Sequence, residues 1–120
     1  MKRIVSLVAA LAVAAVTVFA VVAYAGPSTA TGTTVKVAAK DTFRFTLSRK
    51  SAPHGKVTFK VTNRGHIKHD FKINGKKTKL LGPGKSATLI VTLKKGKKYT
   101  YLCTVPGHAA AGMKGTFKAT

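Results

Sequence analysis

Tyr99-Thr100-Tyr101-Leu102-Cys103-Thr104-Val105-Pro106-Gly107-His108-Ala109-Ala110-Ala111-Gly112-Met113 is the stretch on which the reading of this chain turns. It spaces a thiolate, an imidazole and a thioether along one strand-to-loop corner. Those three groups suit copper better than other common metals, because soft sulfur ligands stabilise Cu(I) and imidazole accepts either oxidation state. A trigonal set of two histidines and one cysteine with a weak, long methionine is the arrangement of an electron-transfer copper site, so one more histidine is needed. The segment Asn63-Arg64-Gly65-His66-Ile67-Lys68-His69-Asp70-Phe71 offers two candidates far enough upstream to lie on a neighbouring strand.

Cys103 is the only cysteine in the chain, and the N-terminus bears on its fate. Lys2 and Arg3 precede an uncharged apolar run from Ile4, which ends in Ala23-Tyr24-Ala25 before Gly26-Pro27. That is the order of a secretory signal. The run from Ile4 to Ala25 is also long enough to span a bilayer, so a retained N-terminal anchor tethering the protein through residues 4–25 is the alternative to cleavage after Ala25. Cleavage is favoured, because the alanine-rich run is only weakly hydrophobic and the small-residue site is well formed. Either way the remainder lies outside the cytoplasmic membrane, in a periplasmic, extracellular or cell-surface setting. There a lone cysteine is an intermolecular disulfide, a reactive thiol or a metal ligand. A histidine and a methionine just downstream favour the ligand.

Cleavage leaves 95 residues, enough for one small domain and a single core. Removing Lys2 and Arg3 leaves 20 basic residues against Asp41 and Asp70, a formal net charge of +18.

Residues 26–32 read as a short linker, and residues 33–120 as one domain of strands without a convincing helix. Val35 and Val37 alternate, as do Phe43, Phe45 and Leu47, then Val57, Phe59 and Val61, then Ile67, His69, Phe71 and Ile73. Ala87, Leu89, Val91 and Leu93 form a further inward face, followed by Tyr99, Tyr101 and Cys103 and a closing strand through Lys114–Ala119. Breakers separate these runs, and Asn74-Gly75 is a strong hairpin signal. About seven short strands point to an all-β fold, a single antiparallel Greek-key β-sandwich. By parity His69 faces inward with Phe71 and Ile73, while Lys68, Asp70 and Lys72 face out. Cys103 shares the inward side with Tyr99 and Tyr101, and His108 and Met113 sit on the loop that follows.

Gly65-x-x-x-His69, Tyr99-x-Tyr101-x-Cys103 and the Cys103, His108, Met113 spacing together resemble the ligand segments of the cupredoxins, the small type 1 blue copper proteins. The loop is most similar to the auracyanin and rusticyanin-like branch, and the resemblance covers residues 33–120. It implies one copper ion held by His69, Cys103, His108 and Met113, with Met113 axial. The domain is shorter than is usual in that branch and strongly basic, so the partners of that branch are not carried over.

Taken singly, a buried cysteine is most often a core hydrophobe, and Met113 could be packing. Three segments coinciding at family spacing favour copper. Tyr99 and Tyr101 read as core residues that dry the site, and Asp70 as a hairpin or supporting residue whose backbone helps fix the ligand loop. His54 and His66 lack the inward parity and read as surface histidines.

The expected function is one-electron transfer by copper cycling rather than enzymatic turnover. Met113 fills the position a substrate would need, two carboxylates supply no acid/base pair, and no His-x-His cluster suggests further copper. Docking is expected through a flat uncharged patch of Val105, Pro106, Ala109, Ala110 and Ala111 around His108. Lysine clusters at Lys76, Lys77, Lys79, Lys85, Lys94, Lys95, Lys97 and Lys98 imply an acidic redox partner protein or an anionic cell-envelope surface. A copper carrier or store, and a polyanion-binding module, are the alternatives. A monomer is expected, and nucleic acid is not, since neither a recognition helix nor a stacking platform is evident.

Overall fold

The computed structural model describes residues 32–120. The signal read at 1–25, its alternative as a tether, and residues 26–31 of the linker lie outside the described residues.

Strand β1 (Thr33–Lys40) buries Val35, Val37 and Ala39 and exposes the residues between them. This period of two is what a sheet with one wet face requires. It is followed by β2 (Arg44–Leu47), β3 (Ser51–Ala52) and the long β4 (Gly55–Asn63), which buries Val57, Phe59 and Val61. Then come β5 (Lys72–Ile73), β6 (Lys76–Lys77), β7 (Ser86–Leu93), β8 (Lys98–Leu102) and β9 (Lys114–Ala119). One sheet has the order β2-β1-β4-β7 and the other β3-β9-β8-β5-β6. Their inner faces meet in an aromatic core. Phe59 packs against Phe71 and Phe117, with centroids 5.3 Å away in both cases, and Phe71 stacks on Tyr101 at 5.6 Å.

The sandwich is all-β as read, but it is not antiparallel throughout. β1 pairs with β4 in parallel, as does β3 with β9. The cause is the path of the chain. After the β1–β2 hairpin it crosses to the second sheet at Ser51–Ala52 and re-enters the first on the other side of β1, running the same way. Nine strands replace the expected seven because β3 and β6, two residues each, are too short to carry a pattern. Asn74 and Gly75 do form the β5–β6 turn, with φ of 48° and 74°, the left-handed pair that a tight hairpin needs.

Parity fails between Ile67 and Asp70. Only Lys72–Ile73 is strand, and His69 is held by an isolated bridge in which its N–H and that of Leu81 each donate to the other's carbonyl. Ile67, expected inside, is 42% exposed, and Asp70, expected outside, is 4% exposed. Without a continuous ladder there is no pleat to enforce alternation across those residues.

Candidate metal centre

The site lies at the end of the five-stranded sheet, where the chain enters β5 after His69 and leaves the neighbouring β8 at Cys103. Cys103 follows β8, and its backbone N–H donates to Met113 O at 3.1 Å, while Met113 N–H donates to His108 O at 3.0 Å. These two bonds close the Cys103–Met113 loop on itself. Gly107 (φ 83°) and Gly112 (φ 114°) turn the chain through left-handed backbone, and a side chain at Gly112 would strike the Arg44 guanidinium. Arg44 in turn donates to Ala111 O, which pins the loop to the end of β2.

The ligand atoms of His69, Cys103 and His108 all lie within 4.8 Å of one another. His69 Nδ1 is 3.2 Å from His108 Nδ1, and Cys103 Sγ is 3.5 Å from the same nitrogen. All three side chains are buried, and Met113 is fully so, in a small cluster with Ala39 and Cys103 flanked by Phe43, Phe45 and Val105. His66 and His54 are exposed and stand apart from this cluster. Tyr101 and Tyr99 pack on the main core beneath.

Burial pushes the Cys103 thiol above its ordinary range. Burial, and then the neighbouring His69, hold the His108 imidazole below its own. Before metal enters, the site therefore presents a neutral imidazole at His108 and a protonated thiol.

Several supports carry no signal that the sequence reading used. Asp41, on the turn between β1 and β2, accepts from His69 Nε2 at 3.0 Å and from the His66 backbone N–H at 2.6 Å. Those donors, the His66 N–H foremost, lower its carboxyl to about 2. A carboxylate on the remote ring nitrogen fixes the tautomer and leaves Nδ1 free as a donor. Gly65 makes room for it, because a Cβ there would collide with the Asp41 carboxylate. Two residues on, Phe43 adopts a left-handed φ of 59° and sets its ring edge-on to His108, 5.0 Å between centroids. Asp70 supports the other side through its carboxylate rather than its backbone, accepting from both the N–H and the hydroxyl of Thr104, next to Cys103. Buried Asn63 donates to Ile67 O and Leu81 O and accepts from Gly65 N–H, so one amide shapes the whole His69 segment.

Two imidazoles and one sulfur converging in a dry pocket, with a buried thioether beside them, fit copper. Residues 29–120 match the family model of copper binding proteins of the plastocyanin/azurin type. The chain belongs to the plastocyanin/azurin family. Copper is accordingly its cofactor. Among solved structures, the reduced auracyanin of the photosynthetic bacterium Roseiflexus castenholzii superposes with a TM-score of 0.66 at 24% identity, covering 74% of this chain and 98% of that one. Auracyanin A of Chloroflexus aurantiacus, a "blue" copper protein, gives 0.62 at 16% identity over 74% and 99%. An azurin of Methylomonas sp. strain J gives 0.61 at 21% over 73% and 98%. At these identities the likeness is one of fold, the cupredoxin sandwich. No curated protein sequence matches significantly.

Proposed function

We propose that this plastocyanin/azurin-family protein is an extracytoplasmic one-electron carrier, not an enzyme, in which His69, Cys103 and His108 would hold copper and the Met113 thioether would add a weak fourth donor. The observation that carries the reading is the closure of the site: three buried donors converge, and fully buried Met113 packs in the same small cluster as Cys103. Copper in such a set supplies a one-electron couple that both oxidation states tolerate. The chain's part is to keep the donors still. The bonds from Asp41 to His69, from Asp70 to Thr104 and within the Cys103–Met113 loop do so from three directions.

His108 is the ligand nearest solvent, at 9% exposure, within the patch of Val105, Pro106, Ala109, Ala110 and Ala111. This supports exchange of electrons through its edge. Leu80, Val105 and Pro106 line a shallow groove together with Lys77, Lys79 and the almost fully buried Asp70, and its exposed charges are the two lysines, which suits brief docking of an acidic partner. Lys2, Arg3 and the apolar run after them support export.

The test is the absorption spectrum of the protein with Cu(II), before and after reductant. Intense visible thiolate-to-copper absorption that bleaches on reduction, and is absent in Cys103→Ser, is expected. A colourless Cu(II) complex overturns the reading, and rapid loss of metal to a mild chelator during redox cycling would favour a copper carrier or store instead.

A further inference from the structure

Strand register sets like charges side by side over much of the molecule. Lys36 of β1 lies directly opposite Lys60 of β4, and Lys40 opposite Arg44 across β1 and β2. On the other sheet Lys72 faces Lys77 across β5 and β6, and Lys98 faces Lys118 across β8 and β9. All eight are exposed. Directly opposed like charges destabilise a sheet, and a carboxylate on a neighbouring strand would relieve each pair. None is at hand. The chain has only two, Asp41 and Asp70, and both are turned to the metal centre, Asp41 toward His66 and His69 and Asp70 toward Thr104. Among the described residues, no lysine or arginine forms an ion pair with either.

Hydroxyl groups lie between the cations. Lys36, Lys60 and Arg64 share a groove on the four-stranded sheet with Thr46, Ser48 and Thr62. On the five-stranded sheet Thr100 and Thr116 face each other between the Lys72–Lys77 and Lys98–Lys118 rows. Neighbouring strands are ~4.8 Å apart and successive outward residues on a strand about 6.6 Å apart. The result on each face is a set of cations and hydroxyl groups at close intervals, interrupted by Ala38 and Ile90 on one face and by Leu102 on the other.

We propose that both outer faces of the sandwich bind a linear polyanion of closely spaced charges. The disposition of the cations decides between occupants. The two outer faces point in opposite directions, so a flat anionic membrane or one acidic protein could satisfy only one of them. A flexible chain, or several segments of a polymer matrix, can lie along both. The inference goes beyond electron transfer and does not depend on it.

The test titrates the copper-loaded, full-length protein with long-chain polyphosphate by calorimetry at several salt concentrations. Lys36→Gln/Lys60→Gln, Lys72→Gln/Lys77→Gln and the combination of all four serve as variants, and an unchanged far-ultraviolet circular dichroism spectrum shows that each is folded. Binding to the parent should weaken steeply with salt, and each pair removed should lower the slope of log affinity against log salt by roughly one to two through lost counterion release. The losses should add in the fourfold variant, since the faces are separate. Without polyphosphate, each double variant should melt at a higher temperature than the parent. Dependence on one pair alone, tighter binding per phosphate to phosphatidylglycerol vesicles than to polyphosphate, or equal competition by inorganic phosphate would each overturn the proposal.

Discussion

Oδ1 of Asp41 lies 3.0 Å from Nε2 of His69, on the side of the ring opposite the cluster of donor atoms. The carboxylate is thus placed to hold the ring's tautomer and to make Nδ1 a stronger donor. Asp41→Ala should weaken Cu(II) binding by roughly 10–100-fold and raise the reduction potential, because the more charged metal state loses more. Asp41→Asn keeps an acceptor without the charge and should fall between. Chelator competition and voltammetry on the three proteins decide it, and identical values throughout would show that the contact is only structural.

The two candidate upstream histidines are separated by burial. His69→Ala should abolish the visible charge-transfer band, whereas His66→Ala and His54→Ala should keep it at the same copper load, since both of those side chains are exposed. The reverse pattern for His66 and His69 would place the ligand on the wrong residue.

Met113 is fully buried against Cys103. Met113→Leu preserves the volume and removes a weak donor, so copper should still bind while the reduction potential rises. If spectrum and potential both stay as they are, Met113 is a packing residue and nothing more.

Metal uptake should release a proton. Because burial raises the Cys103 thiol and lowers the His108 imidazole, the metal-free site holds its proton on sulfur, and a thiolate ligand must lose it. The metal-free form then carries one more proton than the loaded form, so apparent Cu(II) affinity should rise about tenfold per pH unit while the thiol remains protonated. Calorimetric titrations in buffers of different ionisation enthalpy count that proton. Affinity flat with pH across the neutral range would mean that the thiol is already ionised.

Asn63 makes its contribution to stability rather than to chemistry. Asn63→Ala removes the amide from Ile67 O, Leu81 O and Gly65 N–H; Leu81 O keeps the His69 N–H, so the cost should be about 0.5–1.5 kcal/mol for each bond lost. Denaturant unfolding should show a clear loss. A midpoint unmoved from that of the parent would indicate that water replaces the amide at Ile67 O and Gly65 N–H.

The ligand loop was legible because its chemistry is contiguous: Cys103, His108 and Met113 stand within one stretch, and Pro106-Gly107 announces the turn between them. His69 was legible through parity, although its neighbours show how narrowly. Ile67 lies outside and Asp70 inside because the segment is tied down by one bridge and the Asn63 amide rather than by a ladder. Asp41 was invisible for a different reason. It meets His69 across 28 residues of sequence, through a turn whose shape depends on Phe43 adopting a backbone conformation that an aromatic residue rarely takes. The parallel pairing of β1 with β4 depends on where a two-residue strand crosses between sheets, and two residues have no periodicity to read.

The turn between β1 and β2 contributes no ligand, yet it touches both histidines, His69 through Asp41 and His108 through Phe43. Within the turn, the Phe43 N–H donates to Lys40 O. How long the protein keeps its metal is therefore a question of rate as much as affinity. Any opening of this turn takes the anchor from one imidazole and the cover from the other in the same event, which ties the residence time of the ion to a segment that never touches it.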